Sequence, residues 1–461
     1  MTRKEGSAAT GTVPGPPQST PSRVKRWPWE HLGWSRLYRF TSYLRSTLWV
    51  VPLLAVVLER ATYRLLQFLE RWVTWDLIDL GVDGARALFQ TLIPLTLSFI
   101  VFTFGSLLVA LQVASAQLTP RIIATTLLRD PVIKYSVGLN VFTLLFAVSG
   151  LNRTETTVME LATLVAALLG VACLASFLFF IDHAARLLRP VNIVALVSDE
   201  GMAVIRKVYP REGAETQAVV GPGVRSTLGT PALVVLQKGR SQTVLALQID
   251  KLVAAASSAH GVVEFVPQVG DFVATDEPLF KLYGGAATIG EDTLRECVAF
   301  GSERTMEQDP MFSFRILVDI ALKALSPAIN DPTTAVLAMD QVHRLLRFVG
   351  KRRLHDEVVH DSAGEVRLVL RTPNWDDFVH ISFTEIRACG ANSVQIARRM
   401  RAMLENLIRS LPESRRTALR AQLDLLDRTL PEYFKLPEDL ALARVPDSQG
   451  LGGASGRLPA G

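Results

Sequence analysis

The stretch Ala87–Pro120, ALFQTLIPLTLSFIVFTFGSLLVALQVASAQLTP, contains 34 residues without Asp, Glu, Lys or Arg. A helix needs only about 20 apolar residues to cross a bilayer, and a soluble helix cannot hide so much uncharged surface. Two further charge-free runs, Tyr135–Asn152 and Leu161–Ile181, follow before the chain becomes polar. The sequence therefore predicts an α-helical membrane bundle in the N-terminal part of the chain.

About four transmembrane helices are predicted, at residues 46–66, 91–114, 132–151 and 158–181. The first is the weakest, because the apolar stretch Ser46–Leu58 has only 13 residues. As a helix that stretch reaches about 20 Å, short of a hydrocarbon core of about 30 Å. Four spans nevertheless place the basic N-terminal arm and the basic loops on one side of the membrane, as the positive-inside rule requires.

The charge distribution also indicates where the chain lies. Its formal net charge is +5, and the first 48 residues hold eight Lys and Arg against two Glu, so the remainder is near −1. A basic arm beside a span faces the cytoplasm and anionic lipid, whereas a nucleic-acid-binding protein needs a broad basic face. We expect a multi-pass inner-membrane protein with both termini in the cytoplasm and no nucleic-acid partner.

The rest of the chain predicts a cytosolic α+β region. The predicted division is a disordered lead (1–26), a membrane domain (27–189), a β-rich module (190–284), a mainly helical domain (285–440) and a disordered tail (441–461). Short β-like runs, among them Met202–Val208, Ala232–Gln237 and Thr243–Ile249, mark the module.

In the helical domain, Met311–Leu325 predicts a buried helix. Asp331 and Pro332 predict the N-cap and first residue of the next helix. A short hairpin of Glu365–Leu370 with Phe378–Phe383 is expected to interrupt the helices.

Two segments resemble a known family. The runs SFIVFTFGSLLVALQVASAQLTPRII (Ser98–Ile123) and ERTMEQDPMFSFRILVDIALKALSPAINDPTTAVLAMDQV (Glu303–Val342) are similar to the bacterial predicted membrane proteins of domain of unknown function 2254. The SPAINDP run (Ser326–Pro332) is the most specific part. The resemblance implies several N-terminal spans followed by a cytosolic half, and it supplies no activity and no catalytic residues.

Ser98, Gly105 and Gln112 recur at seven-residue spacing and form a small polar stripe on the second span. Such a stripe lines a pore when several copies assemble, but small and hydroxyl residues also serve helix–helix packing. Both interpretations stay open on the sequence.

Arg315, Asp319 and Lys323 recur every four residues on the predicted buried helix. Buried charges must be paired, so the pattern predicts an internal ion-pair ladder with Asp331 or Glu307 as further members. The alternative is an anionic ligand held by Arg315 and Lys323.

Sequence motifs of catalysis are absent: there is no GxxxxGK[ST], GxSxG or HExxH, so we predict no enzyme, no cofactor and no metal site. The preferred hypothesis is a homo-oligomeric passive pore for ions or solutes, or a transport-related protein, with a cytosolic regulatory or assembly domain. The alternative is a membrane-anchored ligand-sensing or scaffolding protein. The ion or small-molecule ligand is not identified by the sequence.

Overall fold

The computed structural model describes residues 49–70, 81–117, 130–154, 159–187, 189–213, 227–354 and 358–452. The predicted disordered lead 1–26, the first residues of the predicted span 46–66 and residues 453–461 of the predicted tail lie outside this description. The N-terminal part of the chain forms the helices α1 (Val50–Glu70), α2 (Val82–Gln117), α3 (Pro131–Arg153), α4 (Glu160–Leu187) and α5 (Pro190–Val208).

Helices α1 to α4 pack together, and α3 contacts each of the other three. Phe89 of α2 packs where a Cβ on Gly150 of α3 would lie, 2.5 Å from the ring, so the glycine permits a close approach. Residues early in α2 therefore meet residues late in α3, which makes these two helices antiparallel.

Helix α1 runs beside α3 in the same direction. Val51 lies against Gly138, where a Cβ would be 2.4 Å from the valine side chain. Further along, the rings of Tyr63 and Phe146 are 5.7 Å apart. The contacts advance together along both helices, so α1 and α3 are parallel neighbours.

Within the described residues, three helices are long and apolar enough to cross a membrane: Val82–Val113, Pro131–Arg153 and Glu160–Arg186. They contain the predicted span 132–151, all but the last residue of 91–114, and most of 158–181. Helix α1 fails this criterion because Glu59, Arg60 and Arg64 interrupt its apolar residues. The predicted count of four spans is therefore not confirmed.

The predicted strand at Met202–Val208 is wrong, because these residues form the last turns of α5. Pro190 occupies the first turn of this helix, where its missing N–H is tolerated. The buried positions recur with helical spacing, at Ile193, Val194, Val197, Ser198, Gly201, Val204 and Ile205. This face packs on two helices of the C-terminal half, and that packing outweighs the β propensity of the final Val and Ile residues.

The C-terminal half contains two small sheets. Their strands are β1 (Leu233–Leu236), β2 (Gln242–Leu247), β3 (Gly261–Phe265), β4 (Phe272–Val273), β5 (Pro278–Gly284), β6 (Val298–Gly301), β7 (Val358–His360) and β8 (Val366–Leu370). The five-stranded sheet has the order β1-β5-β3-β8-β7 and is antiparallel except at β3 and β8. The three-stranded sheet has the order β4-β2-β6. Strands thus come from both predicted segments, 190–284 and 285–440.

The helices of this half are α6 (Ile249–Ser258), α7 (Glu291–Glu296), α8 (Pro310–Ala324), α9 (Pro332–Val349), α10 (Trp375–Gly390), α11 (Val394–Ser410), α12 (Glu413–Tyr433) and α13 (Pro437–Ala443). One hydrophobic core joins α5 to α8, α9, α10, α11 and α12. The predicted hairpin is wrong in its second strand, because Phe378–Phe383 lies in α10. Asn374 and Asp377 form a capping box that starts this helix, and β8 pairs with β7 instead.

The prediction of disorder from residue 441 is wrong for residues 441–452. Arg398 of α11 is fully buried and donates hydrogen bonds to the carbonyl oxygens of Val445 and Gly452 at 3.0 and 2.9 Å. The Asp447 carboxylate accepts hydrogen bonds from three backbone N–H groups of the same segment. Gly and Ser content suggested disorder, but these polar contacts fix the segment on α11.

Candidate functional site

The predicted pore-lining stripe lies on the outer surface of the described bundle. Ser98, Gly105 and Gln112 are all exposed on α2. The Ser98 hydroxyl donates to the Pro94 carbonyl oxygen at 2.7 Å, and a Cβ on Gly105 would have no neighbour within 4 Å. In a single chain the stripe therefore faces away from the helices that α2 packs against.

The interior of the bundle is also polar. Thr96 and Thr103 on the opposite face of α2 are buried, and each hydroxyl donates to a carbonyl oxygen one turn earlier. Between helices, the Cys173 thiol donates to the Thr143 hydroxyl at 3.2 Å, and the hydroxyls of Ser176 and Ser136 are 3.1 Å apart. These contacts hold α4 on α3 without any charged group.

A carboxylate–histidine contact joins two helices at one end of the bundle. The Asp130 carboxylate caps α3 by accepting hydrogen bonds from the backbone N–H groups of Val132 and Ile133. Its second oxygen lies 2.9 Å from His183 Nε2 on α4. The pair joins the start of α3 to the end of α4 and fixes these helices as antiparallel neighbours.

Glu59 is a buried acid that sequence reasoning missed as a site. Its side chain is only 4% exposed, and its Oε2 is 3.7 Å from Nε of Arg60, whose side chain is 73% exposed. In the sequence, Glu59 only marks the end of the apolar stretch Ser46–Leu58. The spacing of Ala55, Glu59, Tyr63 and Leu66, which share the buried face of α1, could have revealed it.

The predicted ion-pair ladder takes a different partner from the one expected. Arg315 Nε lies 2.6 Å from the Asp319 carboxylate, and its two terminal nitrogens lie 2.6 and 3.0 Å from the oxygens of Glu385 on α10. The hydrogen bond and charge of Arg315 lower the pKa of Glu385. Asp331 instead caps α9, as predicted, by accepting from Thr334 N at 3.0 Å. Lys323 follows on the same face of α8, and binding of a ligand by this group stays a prediction.

A cleft of about 490 Å³ opens between α5, the start of α6 and the start of α8. Its polar lining includes Lys207, Gln248, Asp250, Gln268, Gln308 and Arg371. Gln308 is held in place because its Oε1 accepts from Leu247 N at 3.1 Å. A second cavity of about 500 Å³ adjoins it through Ile249, Leu370 and Thr372.

Two buried titratable groups form the inner wall of the first cleft. Burial raises the pKa of Asp309, and an ion pair with Arg304 opposes that shift. Burial also raises the pKa of Tyr209, and the charges of Asp309 and Asp377 add to the effect. The wall can thus hold a neutral phenol beside a paired carboxylate, while the basic groups lie at the rim.

No group of three His, Cys, Asp or Glu residues in the described ranges is arranged to hold a metal ion. The sequence HDEVVH (His355–His360) resembles a metal-binding run but lacks the HExxH spacing. Its residues 355–357 lie outside the described ranges, and His360 is an exposed residue of β7.

Comparison with known proteins gives a family. A family model described as Predicted membrane protein (DUF2254) matches residues 45–406. An uncharacterized protein of Mycobacterium bovis is 27% identical over 442 residues, which cover 89% of this chain and 83% of the relative. An uncharacterized protein of Mycobacterium tuberculosis matches with the same identity and coverage. No solved structure matches the chain significantly. Because the family model covers most of its residues, the protein belongs to the predicted membrane proteins of domain of unknown function 2254.

Proposed function

We propose that this protein forms a passive pore, or another transport route, for ions or small solutes in an assembly of several copies. The exposed stripe of Ser98, Gly105 and Gln112 carries the proposal. In a single copy these residues would face hydrocarbon, whereas an assembly with α2 at its axis turns them toward water. The proposal includes no catalytic role and no cofactor.

The proposal treats α1 as a fourth span of an inner-membrane protein. The parallel packing of α1 along α3, from Val51 to Tyr63, supports this arrangement, because neighbours that run together over such a length traverse the same layer. Four spans put both termini and the C-terminal half in the cytoplasm, where the positive-inside rule places the basic arm.

Arg60 supports assembly independently of the stripe. It lies between the two contact points of α1 with α3, so its level is near the middle of the bundle, and its side chain is 73% exposed. A guanidinium in hydrocarbon is costly, and such groups face protein or a water-filled cavity. A neighbouring copy would surround Arg60 with protein, and an aqueous path would surround it with water.

The test is ion conductance of the purified full-length protein in planar bilayers. We expect unitary currents that change when Ser98→Leu or Gln112→Leu makes the stripe apolar. Phe104→Leu is the control, because Phe104 is an exposed apolar residue of the same helix that lies on a different face from the stripe. The pore proposal is wrong if folded, inserted protein gives no currents, or if all three variants change the currents equally.

A second candidate, a membrane-anchored ligand sensor, is favoured by the position of the first cleft. Helix α5 follows α4 closely in the chain, and its last residues, including Lys207, line the cleft. A ligand bound there would contact the helix that leads out of the membrane. The basic groups Lys207 and Arg371 favour a small anion over a cation.

A thermal-shift screen of small anionic metabolites tests this candidate. The sensor requires a compound that raises the Tm of the full-length protein and loses its effect in Arg371→Gln. Arg420→Gln is the control, because Arg420 is an exposed arginine of α12 paired with Glu413. Binding by a protein that conducts no ions would favour the sensor over the pore.

A further inference from the structure

Glu59 is a buried acid of α1, and its neighbours on the buried face of that helix are apolar. Ala55, Tyr63 and Leu66 precede and follow it on the same buried face. Carboxylates within a membrane bundle are rare because hydrocarbon does not solvate the charge, so they mark proton or ion sites unless they are paired.

Its depth follows from the contacts on either side. Glu59 lies between Val51, which meets Gly138, and Tyr63, which meets Phe146. The adjacent part of α3 is thus near the middle of that helix, roughly 15–18 Å from either end. This part of α3 contains Asn140 and Thr143, both buried.

The carboxylate is incompletely satisfied. Among the described residues, Glu59 Oε1 is buried without a hydrogen-bond partner, and so is Oδ1 of Asn140. Glu59 Oε2 is 3.7 Å from Arg60 Nε, too far for a hydrogen bond. Each of these buried oxygens is an acceptor that a bound proton or a cation can satisfy.

Two titratable side chains of the packed helices, Tyr63 and Cys173, have partners of their own. The Tyr63 hydroxyl donates to Met159 Sδ at 3.5 Å, and the Arg153 guanidinium stacks over the Tyr63 ring at 4.3 Å. The Cys173 thiol of α4 donates to Thr143. Glu160 adds an acid at the start of α4, and its Oε2 is also buried without a hydrogen-bond partner among the described residues. The cations that the described helices place around this part of the bundle include Arg60, Arg64, Arg86 and Arg153, and all four are exposed.

We propose that Glu59 binds one exchangeable cation, a proton or an alkali-metal ion, inside the helical bundle of each copy. The carboxylate supplies the charge, and Asn140 and Thr143 offer neutral oxygens in the same part of the bundle. The site lies within one chain and is separate from the outer stripe. Its membrane depth rests on the proposed four-span arrangement, whereas its burial does not.

The test is labelling of the full-length protein by dicyclohexylcarbodiimide, an apolar reagent that modifies protonated carboxyl groups in apolar surroundings. Peptide mass spectrometry locates the adduct. We expect modification at Glu59 that declines as the pH rises and is absent from Glu59→Gln. Asp182, whose side chain is 60% exposed, is the comparison residue and should react with a water-soluble carbodiimide instead.

Labelling in sodium, potassium and choline chloride of equal ionic strength identifies the cation. Protection by sodium or potassium over choline assigns an alkali-metal ion, and dependence on pH alone assigns a proton. Absence of labelling at every pH, or labelling that responds to neither pH nor salt, overturns the proposal. Arg60→Gln should leave the labelling of Glu59 unchanged. If Glu59 were instead permanently paired with Arg60, the wild-type protein would not be labelled and the Arg60→Gln variant would be.

Stability provides a second readout that does not need the label. A cation that binds only the folded state raises its Tm with concentration. The Tm of the wild-type protein should therefore depend on pH or on the alkali-metal ion, and Glu59→Gln should reduce that dependence. A variant that lowers Tm equally under all conditions would mean that Glu59 is structural. Conductance is not measured, so failure of the pore proposal would not affect this result.

Discussion

His343 is a partly buried histidine of α9 whose protonation opposes folding. Its pKa is lowered from 6.5 to about 4, mainly by burial and then by the charge of Arg399, while its Nε2 lies 3.1 Å from Asn406 Oδ1. The unfolded chain takes up this proton near pH 6.5 and the folded protein only near pH 4. The contribution of neutral His343 to the free energy of unfolding is therefore complete above pH 6.5 and is lost as the pH falls toward 4.

We predict that His343→Gln flattens the dependence of stability on pH in this window. The contribution is on the order of 3 kcal/mol for a shift of this size. Thermal unfolding of the purified protein at a series of pH values measures it. His360→Gln replaces an exposed histidine of β7 and should leave the slope as in the wild type. An unchanged slope in His343→Gln would mean that other groups produce the pH dependence.

Single residues differ in how far the sequence predicts them. Asp331 is predictable because an N-cap depends only on the next few residues, here Thr334. Arg315 is half predictable: its partner Asp319 is one turn away, but Glu385 is 70 residues away and is brought near by packing of α10 on α8. The burial of Glu59 can be predicted only when it is known which face of α1 packs on the other helices.

At the level of an element, the start of α9 depends on the Asp331 cap. We predict that Asp331→Ala lowers the free energy of unfolding by about 1 kcal/mol, because the Thr334 N–H loses its acceptor at the end of a helix. Denaturant unfolding of the purified protein measures the change. Asp292→Ala is the control, since the Asp292 side chain is fully exposed. A loss of several kcal/mol would indicate a further role for Asp331 beyond capping.

Helices with strong end signals were predicted correctly, and elements fixed by tertiary packing were not. Met311–Leu325 matches α8 (Pro310–Ala324) within one residue at each end, because Pro310 and the Ser326-Pro327 step mark its limits. Met202–Val208 has β-branched residues but belongs to α5, whose buried face is apparent only over the whole helix. The parallel pairing of β3 with β8 joins distant parts of the chain and leaves no local signal.

Across the whole molecule, the C-terminal segment reaches back to the helical core. Arg398 is fully buried and uses the carbonyl oxygens of Val445 and Gly452 as acceptors, and Arg399 donates to the Ser448 carbonyl oxygen at 3.1 Å. These guanidinium groups lie on α11, which packs on α9 and α12. The segment is thus part of the fold and supplies hydrogen-bond acceptors to buried charge.

Removing residues 445–452 should therefore lower the free energy of unfolding by more than the loss of their few apolar contacts alone. We predict that a chain ending at Arg444 is destabilised by about 3 kcal/mol or more, because Arg398 loses the two carbonyl acceptors that now satisfy its charge. A chain ending at Gly452 keeps both acceptors and is the control. Thermal unfolding and limited proteolysis of the two purified proteins measure the difference. If Arg398→Met restores stability to the shorter chain, the buried charge is the cause; if both truncations unfold alike, the segment does not satisfy Arg398 in solution.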